Sequence, residues 1–271
     1  MWDAFWQLSA VGALIMVALM ALLWVLHFPL RNASIVDVGW ALGLPLLAVT
    51  YAAWGPGDAM RSWTMAAMVI LWGGRLGGHL AWRIFREGRE EGRYRRLRAQ
   101  WKTHVGVKFL AFFQAQALLD VLLAVPFLLV CLDPRPEWST WHGLGLALWL
   151  VAVCGEALAD RQLAVFKRDP ANRGRVCQTG LWSWSRHPNY FFEWLFWVAV
   201  ALFASGSPWG WLAWLSPALM LHFILNVTGI PPTEAQALST KEEAYRAYQR
   251  RTSAFFPRAP RERPAGQPRT S

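Results

Sequence analysis

Charged side chains are scarce in this chain. Asp, Glu, Lys and Arg make up only 16% of its 271 residues, against roughly 25% in soluble domains. That shortage excludes an ordinary soluble domain: 55% of the residues are hydrophobic, and the surplus over one core needs lipid as its solvent. Cysteine is scarce too. Cys131, Cys154 and Cys177 stand far apart, with neither metal-ligand nor disulfide spacing. No internal repeat is visible, so the inverted repeats common in transporters find no support. Acidic residues are outnumbered 17 to 27 by basic ones, giving a net charge of +10. That charge alone permits a nucleic-acid binder. Here, however, the basic residues interrupt long apolar runs, which points to a membrane face and to no nucleic-acid partner.

Tryptophan, by contrast, is abundant at 19 residues, and its apolar ring with one N–H suits the headgroup layer. A helix needs about 20 apolar residues to cross a bilayer. Candidate spans are residues 5–28, 35–54, 63–82, 109–132, 141–165, 190–204 and 208–228. The first is too long for a signal-peptide core and has no basic segment before it, so a retained span is expected. Breakers separate the runs: Pro29 with Arg31 and Asn32, Gly55-Pro56-Gly57, Asp133-Pro134-Arg135-Pro136, and Ser205-Gly206-Ser207-Pro208.

Basic residues alternate between the connections. Residues 83–108 hold nine Lys or Arg, residues 161–186 six and the tail from Lys241 eight, whereas the intervening connections carry only Arg61 and Arg135. The positive-inside rule then predicts an all-α, polytopic bundle of about seven helices, N-terminus outside and C-terminus cytoplasmic. Residues 1–256 read as one membrane-embedded domain, and 257–271 as a disordered, basic, Pro-rich tail.

Ionisable residues inside spans are costly, and they are the first functional candidates. Asp37 opens the second span. The third carries Trp72-Gly-Gly-Arg75-Leu-Gly-Gly-His79, then Arg83 and Arg86. Arg75, His79 and Arg83 share one helix face. The overlapping pairs Gly73/Gly77 and Gly74/Gly78 predict close helix packing. Glu156 and Asp160 stack one turn apart at the end of the fifth span. Asp120 lies mid-span in the fourth with no partner that the sequence can name. The loop from Lys167 through Asp169-Pro-Ala-Asn172-Arg-Gly-Arg175 is basic and feeds Arg186-His187-Pro188-Asn189-Tyr190-Phe-Phe-Glu193. Pro188 suits the first turn of the sixth span, and Asn189 and Glu193 again share a face. Such a segment suits a multiply anionic ligand held by Arg forks. Thr233 is expected to cap a helix whose first turn holds Glu234. His187 has no Cys or second His at ligand spacing, so no metal is expected.

These segments, closed by Tyr248-Gln-Arg-Arg-Thr-Ser-Ala-Phe-Phe-Pro257, resemble the bacterial DUF1295 family, which is similar to the C-terminal catalytic domain of steroid 5-alpha-reductases. The resemblance runs from about Val36 to Pro257. It implies a seven-helix enzyme of the bacterial inner membrane that binds NADPH in a cytosol-facing cavity. There it reduces the activated C=C bond of a lipophilic enone, entering from the bilayer among membrane lipids. By this resemblance Asp160, Lys167, Arg175, Asn189 and Glu193 match cofactor-binding positions, Lys167 replacing an Arg. Glu156 stands where the reductases have Asn. Arg75 and Arg86 keep the spacing of two cofactor-binding Arg residues, His79 falls on a cofactor-contacting Tyr, and Glu234 falls near a cofactor-contacting His.

The substrate end matches less well. The reductases hold the enone oxygen with a Glu and a Tyr on the second and third spans; the nearest equivalents here are Asp37 and Trp72, and indole is not a usable acid. A protonated Asp37, or His79, is then the expected oxygen-side donor. Two other classes remain open from the residues. Isoprenylcysteine carboxyl methyltransferases, which use S-adenosylmethionine, share the Arg-His-Pro-x-Tyr pattern. A transporter or lipid-binding protein could instead use Asp37, Asp120 and Glu156 as a path.

Overall fold

The computed structural model describes residues 2–88 and 90–260. It is all-helical, with no strand among the described residues. In chain order the helices are α1 (Trp2–Leu30), α2 (Ile35–Trp54), α3 (Ala59–Glu87), α4 (Gly92–Gln100), α5 (Val105–Leu123), α6 (Val125–Cys131), α7 (Thr140–Arg168), α8 (Pro188–Ala204), α9 (Leu215–His222) and α10 (Ile230–Arg251). A π-helical turn, Phe223–Val227, links the last two.

Among the described residues, five helical stretches are long and apolar enough to cross a membrane: α1, α2, α5, α7 and the composite Gly210–Arg251. Helix α8 is apolar but has only 17 residues. Helix α3 has the length, but Arg61, Arg75, Arg83 and Arg86 keep it less apolar. Large side chains such as Leu14, Leu22, Leu118 and Leu150 are exposed along these helices, the pattern of a bundle whose outer solvent is lipid.

The expected fourth span, 109–132, is not one helix. The α-helix stops at Leu123 and restarts at Val125, with Pro126 in the first turn of α6. Proline has no N–H to continue the ladder, and its ring opposes the preceding turn. Pro188 opens α8 as expected. Thr233 does not cap its helix. Gly229 takes that position, Pro231 and Pro232 follow it, and the Thr233 hydroxyl donates back to the Gly229 carbonyl at 2.8 Å.

The chain falls into two compact units, residues 1–145 with 200–216, and residues 146–199 with 217–271. The first is built on α1, α2, α3, α5 and α6, with Met16, Leu44, Trp72, Phe113 and Phe127 in its core. Gly73 and Gly77 let α3 lie directly on α2. A Cβ on Gly73 would meet the Ala41 carbonyl at 2.6 Å, and one on Gly77 would meet Leu42 at 2.6 Å. Gly74 and Gly78 face open space, so only one of the two overlapping glycine pairs packs a helix.

At one end of this unit Arg61, only 1% exposed, is the centre of a clasp. Its guanidinium donates to the Asp133 carboxylate at 3.3 Å and to the carbonyls of Asp133, Arg135 and Glu137. Burial raises the Asp133 pKa, but hydrogen bonds from Arg135 and the charge of Arg61 outweigh it and hold the carboxyl below its ordinary range.

In the second unit, α7 and α8 approach closely where Gly155 leaves room for the Phe192 ring, 2.3 Å from where a Cβ would stand. The expected tail begins inside the described residues: the Arg258 N–H donates to the Trp184 carbonyl at 2.9 Å. Residues 261–271 lie outside them.

Candidate functional site

The candidate residues divide between the two units. In the first are Asp37, Trp72, Arg75, His79 and Arg86; in the second are Glu156, Asp160, Lys167, Arg175, Asn189, Glu193 and Glu234.

In the first unit, Asp37 lies in the first turn of α2 and is held by two consecutive residues of α4. Arg93 Nη2 stands 2.6 Å from its Oδ2, and the Tyr94 hydroxyl donates to its Oδ1 at 2.6 Å. Burial pushes the Tyr94 hydroxyl well above its ordinary pKa, and the Asp37 charge adds to that. Burial alone would lower the Arg93 pKa, but Asp37 outweighs it and the net shift is upward. The Tyr94 contact is a hydrogen bond, whereas Arg93 acts on the carboxyl as a nearby charge.

The loop between α3 and α4 is clipped to the same place. Ala33 N–H donates to Glu90 at 2.9 Å, Glu91 N–H donates to Ser34 Oγ at 2.8 Å, and Arg83 pairs with Glu91 at 3.0 Å. Gly88, at φ +61°, ends α3 in the left-handed conformation that glycine adopts without strain.

Trp72 is fully buried and meets Trp40 edge-on, ring centroids 5.9 Å apart. Arg75 is half-buried, and His79 and Arg86 are exposed. The His79 and Arg86 side chains flank one ring: His79 stacks on Trp82 at 6.4 Å, and the Arg86 guanidinium lies 4.9 Å from that ring's centre.

In the second unit the chain from α7 to α8 is an ordered loop. Asp169 accepts from Ala171 N–H at 2.9 Å, Asn172 donates to the Phe166 carbonyl at 3.1 Å, and Gly174 takes φ +82°. Lys167 and Arg175 are exposed and make no ion pair among the described residues. Lys241 of α10 donates to the Arg175 carbonyl at 2.6 Å. Glu156 is buried; Asp160, Asn189 and Glu193 are half-buried.

The Arg-His-Pro segment is locked to α10. The Arg186 Nε donates to Glu234 Oε1 at 2.7 Å, and His187 Nε2 stands 3.3 Å from the same oxygen. Gln249 donates to Glu234 Oε2 at 2.7 Å, and the Tyr245 hydroxyl to Oε1 at 3.3 Å. Burial raises the Glu234 pKa, but the hydrogen bonds from His187 and Arg186 and the Arg186 charge outweigh it, holding the carboxyl at about 2. The Tyr248 hydroxyl donates to the carbonyls of Trp182 and Ser185, and Ser185 pairs with Ser253 in an isolated β-bridge. His187 stacks on Tyr190 at 5.4 Å.

Two pairings carry no signal in the sequence. Arg93 and Tyr94 were visible only as members of a basic run, with nothing to say which residue of that run reaches Asp37. The role of Arg186 in ordering Glu234 lies 48 residues away along the chain. The tyrosine partner of Asp37 lies on α4, beyond the third span where the resemblance seeks one.

An all-helical protein with several apolar helices of membrane-crossing length is a multi-pass membrane protein. The chain belongs to the family described as "Protein of unknown function (DUF1295)", which matches residues 23–252. It is also similar to an uncharacterized protein of the fission yeast Schizosaccharomyces pombe, 28% identical over 284 aligned positions that cover 92% of this chain and 79% of that one. No solved structure matches. The yeast relative lends no support to a specifically bacterial membrane.

Proposed function

We propose that this protein is an NADPH-dependent membrane reductase of activated C=C bonds in lipophilic α,β-unsaturated carbonyl compounds. Seven membrane crossings, with α3 and α8 added to the five apolar stretches, and a cytosolic C-terminal face belong to the same proposal. The observation that carries it is the second unit's ordered segment from Asp160 to Glu193. It holds Lys167 and Arg175 as exposed cations without ion pairs among the described residues, and, in the same stretch of chain, the half-buried polar groups Asp160, Asn189 and Glu193.

That donor set fits a dinucleotide. Its phosphates need cations with free N–H groups, and its carboxamide needs a donor and an acceptor held rigidly. Lys167 and Arg175 would neutralise the phosphates. Asn189 and Glu193, one helical turn apart, would orient the nicotinamide end. Glu156 and Asp160 would line the remainder. Glu234 contributes by fixing the Arg186-His187 segment in place. NADPH, when bound, supplies the hydride for the β-carbon.

Negative charge then develops on the carbonyl oxygen, and the α-carbon gains a proton to complete the saturated product. A preorganised donor at that oxygen lowers the barrier. Asp37 is the centre of this role. Arg93 and the Tyr94 hydroxyl, which donates to Asp37, would fix that carboxyl in place, and a protonated Asp37 or His79 would be the donor. Trp72, packed on Trp40, shapes the wall.

The test is NADPH oxidation by the protein in lipid nanodiscs on adding lipophilic enones, a 3-oxo-Δ4-steroid among them. Enone-dependent oxidation that Glu193→Ala abolishes supports the reading; none with any enone contradicts it.

A further inference from the structure

We propose that the cavity at the C-terminal end of α10 binds the phosphodiester of an anionic phospholipid headgroup. The cavity, of about 250 Å³, lies wholly in the second unit and is lined by Arg186, Arg250, Arg251, Thr252, Ser253 and Arg258, among others. Backbone pairing builds it. Helix α10 ends at Arg251, Thr252 turns to an extended conformation, Arg186 N–H donates to the Ser253 carbonyl at 2.8 Å, and Arg258 N–H donates to Trp184 at 2.9 Å. The chain after α10 is thereby folded back along Trp184–Arg186, bringing guanidinium groups from three separate stretches onto one hollow.

The charges in that hollow are unbalanced. Arg186 is spent on Glu234 and on the carbonyls of Gln249 and Thr252. Arg250, Arg251 and Arg258 make no ion pair among the described residues. A cation in the last helical turn is favoured by the helix dipole, which accounts for Arg250 and Arg251 but not for Arg258, seven residues beyond the helix. The Nε of Arg251 is buried with no hydrogen-bond partner. A buried donor without an acceptor is costly, and a phosphate oxygen would satisfy it while the Thr252 and Ser253 side chains supply smaller donors.

Two observations favour a lipid as the source of that phosphate. The volume is below the roughly 300–1,000 Å³ of pockets that enclose a whole organic ligand, so a dinucleotide does not fit inside it, whereas a headgroup does. The flanks are aromatic and exposed: Trp184 is 50% and Phe256 44% exposed. Phe256 packs edge-on against Trp194 and Phe255, at 5.9 and 5.1 Å. Exposed aromatic rings beside guanidinium groups on a membrane protein mark the headgroup layer. The acyl chains would then run past Phe256 and Trp184 while the phosphodiester sits among the arginines.

The probe is phosphatidylglycerol, measured against phosphatidylcholine of the same acyl chains by native mass spectrometry of the full-length protein in detergent. The expected result is retention of phosphatidylglycerol at least about tenfold over phosphatidylcholine. R250Q/R251Q/R258Q, none of them in the proposed reductase site, should erase that preference without lowering the melting temperature. Equal retention of the two lipids by the wild type overturns the proposal whether or not the variant folds. So does an undiminished preference in the folded variant. Displacement of phosphatidylglycerol by millimolar inorganic phosphate also overturns it, assigning the cavity to a free anion.

Discussion

Arg186 and Glu234 meet at 2.7 Å across 48 residues of chain, joining the turn before α8 to the second turn of α10. The pair is nearly enclosed, with side chains 10% and 15% exposed. Removing Arg186 would leave the mostly enclosed Glu234 carboxylate without its guanidinium, held only by the Gln249, Tyr245 and His187 contacts. Arg186→Ala should therefore cost about 3–5 kcal/mol of stability, seen as a large fall in melting temperature in detergent. A fall no larger than that of Arg246→Ala, whose exposed pair with Glu242 lies on the same helix, would count against this.

The same carboxylate sets an acid limit. The Glu234 pKa is depressed from its ordinary 4.5 to about 2, so the charged form stabilises the fold above the unfolded-state value. That stability is lost as pH falls from about 4.5 towards 2, and it amounts to something on the order of 3 kcal/mol. Glu234→Gln should start less stable at neutral pH and lose less between pH 5 and about 3. Parallel acid profiles for the two proteins, followed by thermal unfolding, would contradict the assignment.

The glycines of α3 make a contrast within one helix. Gly73→Ala drives a methyl into the Ala41 backbone carbonyl and Pro45, whereas Gly74→Ala enters open space. The first should destabilise; the second should be neutral or gain up to about 1 kcal/mol from helix propensity. Size-exclusion profiles and melting temperatures of the two variants decide this, and equal behaviour would mean that α2 and α3 do not pack through Gly73.

Arg61 predicts a failure of conservative substitution. Its planar group donates to the Asp133 carboxylate and to three carbonyls at once. Lysine keeps the charge but cannot reproduce that fork. Arg61→Lys should lose most of what Arg61→Ala loses in thermal stability, and full rescue by lysine would show that charge alone matters there.

Much of the fold was legible because hydropathy and breakers report directly on span length. The spans of α1, α2 and α7, and the start of α8 at Pro188, follow from them. The break at Ala124 was not read, because Pro126 sits in an otherwise unbroken apolar run and a proline alone does not say whether a helix kinks or restarts. The site was legible as a list of polar residues, not as pairings. Asp37 stood out, but nine cations followed the third span and spacing cannot choose Arg93 among them. Arg250, Arg251 and Arg258 were visible only as part of a basic tail, since their convergence depends on the Ser185–Ser253 bridge.

The most direct test of the central claim is a titration of the purified protein with NADPH, read by quenching of its 19 tryptophans. Binding should be saturable, and weakened about tenfold or more by Arg175→Ala, the loss of one charge-assisted contact, and likewise by Glu193→Ala. No saturable NADPH binding, or saturable binding of S-adenosylmethionine in its place, would contradict it.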